Sequence, residues 1–332
     1  MQAKIKDLIT AKISGEWGNE ALPGEGVKVI RTANFTNIGI IDFEKVVFRD
    51  IDIKKIEQKK LIEGDIIIEK SGGSPNQPVG RVVFFDIKTN ENLLCNNFTS
   101  ILRPDCSKIY PKYLFYQLFI AHTRGRTLKF QNKTTGIINL KLDDYLNEKI
   151  KLTSLPKQIH IANLLSKAED LISQRKESIR LLDEFLKSTF LEMFGDPVKN
   201  DKNWKKIHLK NFGQIITGNT PPRKNAENYS SNFIEWIKTD NIKSENIYIS
   251  DAFEYLSKSG LKSARTIESG ALLVACIAGS IESVGRAALT NRTVSFNQQI
   301  NAIQPNKDFE PLFYIGFLKS QRSIYKTMHQ RE

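Results

Sequence analysis

The sequence predicts an α+β protein in which two repeated mixed α+β domains are joined by a long, coiled-coil-forming helix. Three observations support this prediction. Short motifs recur in the same order about 200 residues apart in the 332-residue chain, turn residues bound each motif, and one long helical pattern lies between the two copies. We therefore predict a first domain at residues 1–154, a spacer helix at 155–196 and a second domain at 197–332.

The first repeat contains short runs that are rich in β-branched residues. Gly, Pro or Asn bounds each of them, as in "VIRTANF" from Val29, "GDIIIEK" from Gly64 and "GRVVFFD" from Gly80, which favours strands. The segment "PKYLFYQLFIAHTRG" instead begins at Pro111 and ends at Gly125, as an amphipathic helix does. The first repeat is therefore predicted to be a mixed α+β globule with polar loops between its strands.

The spacer has the pattern of one long helix over residues 156–194, with proline at its start and glycine just after its end. Apolar residues recur in steps of four and three, interrupted only by Arg175 and Thr189, and a 3.5-residue period of this length favours a coiled-coil seam. The predicted helix-pairing residues are Ile161, Leu165, Ile172, Ile179, Leu182, Leu186 and Met193. The helix would be about 58 Å long, so two basic domains at its ends could read a split DNA sequence with a fixed gap.

The second repeat restates the motifs of the first. "WIKTDNI" from Trp236 matches "VIRTANF", "GALLVAC" from Gly270 matches "GDIIIEK", and a Gly-Arg pair precedes the next strand in both copies. At the last offset, Glu332 falls opposite residue 132, so counterparts of residues 133–194 are lacking. We therefore expect a C-terminally incomplete second domain, and a central helix that pairs with a second copy of the chain.

The composition predicts a basic protein that binds a polyanion. The chain has 49 Lys and Arg residues against 37 Asp and Glu, so its formal net charge of +12 suits nucleic acid, although a solvated lysine-rich surface is the alternative. Three cysteines and four histidines lack the spacing of a disulfide framework or a zinc site. No signal-peptide core is found, and the longest apolar run, "ALLVACIA", is far below the ~20 residues that cross a bilayer. We predict a cytoplasmic location.

No phosphate-binding, dinucleotide-binding or nucleophile motif accompanies these features. Asp65, Glu69 and Lys70 lie on one predicted strand, as in some metal-dependent nucleases. However, adjacent residues of a strand point to opposite faces, and the matching run in the second repeat has no carboxylate. We therefore predict no catalytic residue, metal site or cofactor in this chain.

The chain also carries, in order, "SGEWG", "IRTANF", "GDIIIEKSGGSPNQPVGR", "NNFTSILRP", "TTGIINL" and "LPKQIHIANLLSKAEDLI" followed by "LLDEFLKSTFLEMFGDP". Over essentially its whole length it resembles the specificity (S) subunit of type I restriction-modification enzymes. The resemblance implies that each repeat is a target recognition domain, that the chain reads a bipartite site in double-stranded DNA, and that methyltransferase subunits dock near the helix. It also implies that S-adenosylmethionine, ATP and Mg belong to partner methylation and restriction subunits, not to this non-catalytic chain.

The resemblance further implies that polar loops present amide and guanidinium groups to base edges. In the first domain the predicted DNA-binding residues are Arg31, Thr32, Asn34, Ser71, Ser74, Asn76, Gln77, Arg81, Lys133 and Thr134. In the second domain they are Arg223, Lys224, Lys238, Thr239, Asn241, Ser280, Arg286, Asn297 and Gln298. Arg81 and Arg286 are matched across the repeats, and a shared residue cannot discriminate different targets, so a role in the fold or on phosphates is the alternative for both.

Two other functions stay open from the sequence. A coiled-coil scaffold with two protein-binding domains would have no salt-sensitive affinity for DNA. A self-contained restriction or modification enzyme would need a metal or methyl-donor motif, which the sequence lacks.

Overall fold

The computed structural model describes residues 2–74, 77–134, 137–196, 199–277, 279–280 and 283–319. The chain divides into two compact units, Met1–Arg175 and Lys176–Glu332. Both units mix helices with strands, and one long helix connects them in sequence, which confirms the predicted fold class.

The first unit lies at the N-terminal end of the chain and contains most of the described strands. The strands are β1 (Gln2–Lys4), β2 (Ile9–Ser14), β3 (Asn19–Glu20), β4 (Val27–Ile30), β5 (Val47–Asp50), β6 (Ile66–Glu69), β7 (Ser71–Gly73), β8 (Val82–Phe84), β9 (Leu93–Cys95), β10 (Thr99–Pro104), β11 (Gln131–Thr134), β12 (Ile137–Leu140) and β13 (Lys149–Lys151). The helices are α1 (Ile53–Lys59), α2 (Pro111–Thr123), α3 (Leu142–Leu146) and the first half of α4 (Leu155–Phe194).

A four-stranded antiparallel sheet, in the order β2-β10-β6-β8, forms the centre of the first unit. Successive residues of a strand point to opposite faces, so Ile66 and Ile68 of β6 pack in the core beneath α2, whereas Ile67 packs in a second core on the other face. The second face is covered by a sheet in the order β3-β5-β4-β9, in which β4 and β9 are parallel. Both sides of β6 are therefore buried, which explains its uninterrupted isoleucine run.

The second unit contains eight further strands among its described residues. They are β14 (Gly213–Thr217), β15 (Ile234–Ile237), β16 (Tyr255–Leu256), β17 (Thr266–Ile267), β18 (Leu272–Ala275), β19 (Ala287–Leu289), β20 (Val294–Phe296) and β21 (Ile300–Pro305). Its helical parts are the second half of α4, the short α5 (Lys258–Leu261) and residues 311–319.

The strand order of the second unit repeats that of the first. The sheet β14-β21-β18-β19 matches β2-β10-β6-β8, and the parallel pair β15 and β20 matches β4 and β9. Leu273 packs in one core and Leu272 in the other, as the neighbouring isoleucines of β6 do. The structure thus confirms the internal repeat that the sequence motifs predict.

The first turns of α4 belong to the core of the first unit. Ala162 is buried beneath α2, and Leu165 packs partly against the same core. The buried side chain of Gln158 accepts a hydrogen bond from the backbone N–H of Tyr110, the N-cap residue of α2, at 2.9 Å. Tyr116 of α2 donates its hydroxyl to Glu169 at 2.6 Å. This half of the helix is fixed by packing, a cap and a side-chain hydrogen bond.

The predicted seam is mostly exposed along the rest of α4. Of its residues, Leu165 is partly buried, and the others have exposed fractions from 38% for Ile161 to 65% for Leu186. Near the end of α4, the ring of Phe194 lies 4.8 Å from that of Phe313 within the second unit. Gly195 follows with a φ of +76°, which glycine adopts readily and which ends the helix. None of the described helices is long and apolar enough to cross a membrane.

Candidate nucleic-acid interface

The same turn follows β4 in the first unit and β15 in the second. The side chain of Asn34 accepts the Arg31 N–H at 2.8 Å and donates to the carbonyl of Asp42 at 2.9 Å. Asn241 makes the equivalent two bonds in the second unit, at 3.0 and 2.8 Å. Both asparagines are buried, so their amides fix the turn and do not face solvent, although both are among the predicted DNA contacts.

A surface cleft of the first unit lies between this turn and the loop that follows β6; we call it the first cleft. Its lining brings together four of the predicted DNA-binding residues, which are Thr32, Ser74, Gln77 and Arg81. These residues come from two segments about 40 residues apart in sequence. Backbone and side-chain polar groups therefore converge at one place, as base or phosphate recognition requires.

The tip of the loop presents the exposed side chains of Ser74 and Gln77. Their backbones exchange hydrogen bonds of 2.9 and 3.0 Å, and the Ser74 hydroxyl also accepts the Gln77 N–H at 3.1 Å. A Cβ atom at Gly73 would lie 2.8 Å from the Gln77 carbonyl oxygen, so this close return needs glycine. The backbone of Gln77 is thus fixed in a tight loop, and its side-chain amide is exposed and of a type that can pair with adenine.

Other predicted contacts of the first unit have partners within the fold. The Ser71 hydroxyl donates to Asn139 on the neighbouring strand β12. The half-buried Arg31 donates to the Lys45 carbonyl at 3.0 Å. Three predicted contacts cannot be placed: Asn76 and the side chains of Lys133 and Thr134 lie outside what the structure describes.

The floor of the first cleft is a buried ion pair. Arg81 binds Glu69 through Nε at 2.8 Å and Nη2 at 3.1 Å, and the Glu69 side chain is only 2% exposed. Asp65 is likewise buried and bound by Arg103 at 2.9 Å through two nitrogens, and this hydrogen bonding raises the pKa of Arg103. Both carboxylates of the nuclease-like strand are therefore engaged by arginine. No cluster of three His, Cys, Asp or Glu side chains that could hold a metal occurs among the described residues.

In the second unit, two predicted cations share one carboxylate. Glu254 accepts hydrogen bonds from Lys238 and, at 2.6 Å, from Arg223. The bond from Lys238 is the main cause that lowers the pKa of Glu254, and the bond from Arg223 contributes. The Arg223 guanidinium also lies 4.5 and 4.9 Å from the ring centres of Tyr229 and Trp236. The two cations are thus ordered and partly neutralised, whereas Lys224 is exposed.

The other predicted contacts of the second unit differ in exposure. Ser280 is exposed with its hydroxyl 3.0 Å from that of Ser283, and Gln298 is exposed beside Thr220, which donates to it. Asn297 is buried and donates to Gln299 at 2.9 Å. Thr239 and Arg286 are half-buried.

One cluster of charged residues was not predicted as a site. Lys12, Lys70 and Lys141 line a second surface cleft of the first unit together with Asp143 and Asp144, and Lys12 is paired with Asp143. The hydroxyl of Ser14 in this cleft accepts a hydrogen bond from Lys70 at 2.9 Å. Burial lowers the pKa of Lys70. The sequence separates these lysines widely. The pairing of β2, β10 and β6 brings Lys12 to Lys70, and Lys141 lies close because the N–H of Leu140 donates to the Lys70 carbonyl at 2.8 Å.

Comparison with known proteins identifies the family. The family model of the type I restriction modification DNA specificity domain matches residues 2–181 and again residues 201–330. The chain belongs to this specificity-domain family. The two matched segments coincide with the two copies of the fold, so each unit contains one specificity domain.

Relatives of the chain include named specificity subunits. The chain is 24% identical over 234 residues to the type I restriction enzyme MjaX specificity subunit of Methanocaldococcus jannaschii, covering 66% of this chain and 54% of that protein. It is 31% identical over 109 residues to the HindI specificity subunit of Haemophilus influenzae, covering 32% and 22% respectively. The chain thus spans about half the length, or less, of these curated relatives.

A solved structure has the same fold. The crystal structure of the S subunit of the type I restriction-modification system from M. genitalium matches with a TM-score of 0.60 and 16% identity. The match covers 100% of this chain and 79% of that chain.

Proposed function

We propose that this chain is the sequence-specific DNA-recognition subunit of a type I restriction-modification complex and that it reads a bipartite site in double-stranded DNA. The observation that carries this proposal is the duplicated specificity domain, with the same strand order and the same asparagine-braced turn in both units. The net charge of +12 supports a polyanionic ligand. Two related domains with different loops suit two different half-sites.

In this proposal the first cleft faces the DNA, and so do the matching turn after β15 and loop after β18 in the second unit. Gln77 and Ser74 in the first unit, and Ser280 and Gln298 in the second, are the exposed polar side chains that would read base edges. Lys224 would contact phosphate, because an exposed point charge binds the backbone without reading sequence.

The chain would carry no catalytic group of its own. Its two buried strand carboxylates are bound by arginine, so they are poor metal ligands. Methyltransferase subunits with S-adenosylmethionine, and a restriction subunit with ATP and Mg, would supply the chemistry in the cytoplasm. The exposed apolar stripe of α4 would bind helices of these subunits or the same stripe of a second copy.

The test is to purify the tagged chain from its source cell, identify the proteins that accompany it, and map methylated adenines across the genome with and without its gene. We expect a methyltransferase subunit in the complex and loss of methylation at one split motif when the gene is deleted. An unchanged methylation map, together with a complex that lacks any methyltransferase, would contradict the proposal. A deletion strain complemented with the Gln77→Ala variant should alter one half of the motif only.

A further inference from the structure

Arg81 and Arg286 occupy the same place in the two repeats. In the first unit the Glu69 N–H donates to the Arg81 carbonyl at 2.9 Å, and the glycine before Arg81 donates back to the Glu69 carbonyl at 3.0 Å. In the second unit the Ala275 N–H donates to the Arg286 carbonyl at 2.9 Å, and the preceding glycine donates to Ala275 at 2.8 Å. Ala275 is therefore the counterpart of Glu69, so the second arginine lacks the carboxylate that the first one has.

All three guanidinium nitrogens of Arg81 form hydrogen bonds within its own domain. Besides the two bonds to Glu69, it donates to the carbonyls of Thr32 at 3.1 Å and Phe35 at 3.3 Å. Its carbon also lies 5.7 Å from the centre of the Phe35 ring. Arg81 thus fastens the edge of the central sheet to the turn after β4, and only 13% of its side chain is exposed.

The guanidinium of Arg286 makes none of these contacts. It forms no hydrogen bond or ion pair with any described residue, and its buried Nε has no hydrogen-bond partner there. At the position of Phe35 the second repeat has Ile242, which offers no aromatic face. A buried donor without an acceptor is unfavourable. A half-buried cation in this state is suited to bind an anionic or strongly accepting ligand.

The two residues before Arg286 are open to solvent among the described residues. Val284 beside it is exposed, and a Cβ atom built at Gly285 would meet no atom within 4 Å. Lys238, on the turn after β15, is by contrast bound to Glu254. Arg286 differs from Lys238 in this respect, because it has no carboxylate partner among the described residues.

We propose that the two matched arginines have different roles: Arg81 is a structural brace, whereas Arg286 binds DNA directly. This inference rests on the proposed function and assigns one of its contacts. The ligand must offer two neighbouring hydrogen-bond acceptors to the guanidinium, as the Glu69 carboxylate does for Arg81. DNA has such pairs in its phosphate oxygens and in O6 and N7 of guanine. The replacement of Glu69 by Ala275 at the matched position is what releases the second guanidinium.

The test measures DNA binding of the full chain, together with the subunits that co-purify with it. The probes are a 40-base-pair duplex of random sequence, over a series of salt concentrations, and a randomised duplex library for selecting the preferred site. Arg286→Met removes the contact, and Ala275→Glu restores the carboxylate of the first unit. Lys307→Met is the matched control, because it removes one exposed charge beyond the opposite end of β21.

We expect Arg286→Met to weaken binding while the control does not. If the partner is phosphate, affinity for the random duplex falls and the slope of log K against log salt decreases by about 0.9. If the partner is guanine, affinity for the selected site falls roughly 5- to 150-fold and the selected motif loses one guanine. Ala275→Glu should act in the same direction, because it pairs the guanidinium.

Two results would overturn the inference alone. One is an Arg286→Met variant that binds both probes as the wild type does, with the same slope and the same motif. The other is a loss of thermal stability in Arg286→Met as large as that in Arg81→Met, which would indicate a second structural brace. Failure of the wild-type complex to bind any duplex would instead overturn the proposed function, and this inference with it.

Discussion

At the scale of single residues, buried ion pairs explain polar positions that the sequence leaves ambiguous. Glu69 and Asp65 are charged residues in a buried strand region, and each is stabilised by a two-nitrogen contact from an arginine. Removal of one partner from a buried pair leaves an uncompensated charge, which is far more destabilising than loss of a surface pair. These residues therefore belong to the fold of the first unit.

Arg81→Met should destabilise the first unit by about 3–5 kcal/mol, because it leaves the buried carboxylate of Glu69 without a counter-charge. The change in the free energy of unfolding is measured by equilibrium denaturation of the full chain, monitored with a spectroscopic probe placed in the first unit. Arg286→Met is the control, and it should shift the free energy of unfolding by less than about 0.5 kcal/mol, since its guanidinium forms no hydrogen bond or ion pair with a described residue. Equal losses in the two variants would contradict this assignment.

A second residue-scale prediction concerns pH. The hydrogen bond from Arg292 is the main cause that lowers the pKa of Glu235 below its usual 4.5 in the second unit. The folded pKa is lower than the unfolded one, so the ion pair stabilises the fold above about pH 4.5, and this contribution disappears as pH falls through the folded pKa.

The melting temperature of the second unit should accordingly fall between pH 5 and 3, and thermal unfolding across that range measures it. Glu235→Gln removes the titrating group and should reduce the pH dependence over this interval. A variant with the same slope as the wild type would show that Glu235 does not carry the effect.

At the scale of elements, α4 combines two roles along its length. Its first turns complete the first core through Ala162 and Gln158. Farther along, Leu171, Leu182 and Leu186 are each about 60% exposed. Burial of each such side chain contributes roughly 1.5–3 kcal/mol. Another helix that covers the stripe would therefore stabilise the molecule considerably.

We predict that two chains pair through this stripe and that Leu182→Lys, which places a charge in the seam, separates them. Sedimentation of the full chain at micromolar concentration measures the effect as a change from dimer to monomer. Ser173→Lys lies outside the stripe and should leave the dimer intact. A monomeric wild-type chain would contradict self-pairing and would favour helices of partner subunits as the cover.

At the scale of the whole molecule, a net charge of +12 and a duplicated specificity domain together favour binding to a polyanion such as DNA. We expect affinity for duplex DNA to fall steeply with salt, because each neutralised phosphate releases counterions and contributes about −0.9 to the slope of log K against log salt. Titrations between about 50 and 200 mM salt measure this slope. A flat dependence would favour a protein-binding scaffold instead.

We also predict that the purified chain neither cleaves nor methylates DNA when supplied with Mg²⁺, ATP and S-adenosylmethionine, until the partner subunits are added. Gel and methyl-transfer assays with and without those subunits measure this. Turnover by the pure chain that Asp65→Asn abolishes would show a catalytic site in the first unit.

The sequence by itself determined three features: the internal repeat, the mixture of strands and helices within each repeat, and the long central helix. The repeat is visible because the two copies keep their motifs in the same order. Strands and helices are predictable because the spacing of apolar residues, and the Gly and Pro residues that bound each element, act on neighbouring residues of the chain. Gly80 and Gly285 are matched in sequence, and both adopt a positive φ. The exposure of most of the apolar stripe on α4 also agrees with the seam that its 3.5-residue period predicts.

Only the tertiary structure decided which polar residues are free to bind. The sequence predicts that the amides of Asn34 and Asn241 contact bases, but both side chains are buried and hold a turn in place. Arg81 and Arg286 occupy matched positions in the sequence, but only Arg81 has a carboxylate partner among the described residues. The physical reason is that hydrogen-bond and ion-pair partners come from distant segments. A residue's availability for DNA depends on whether folding brings it an acceptor, and that acceptor is set by strand pairing across the sheet.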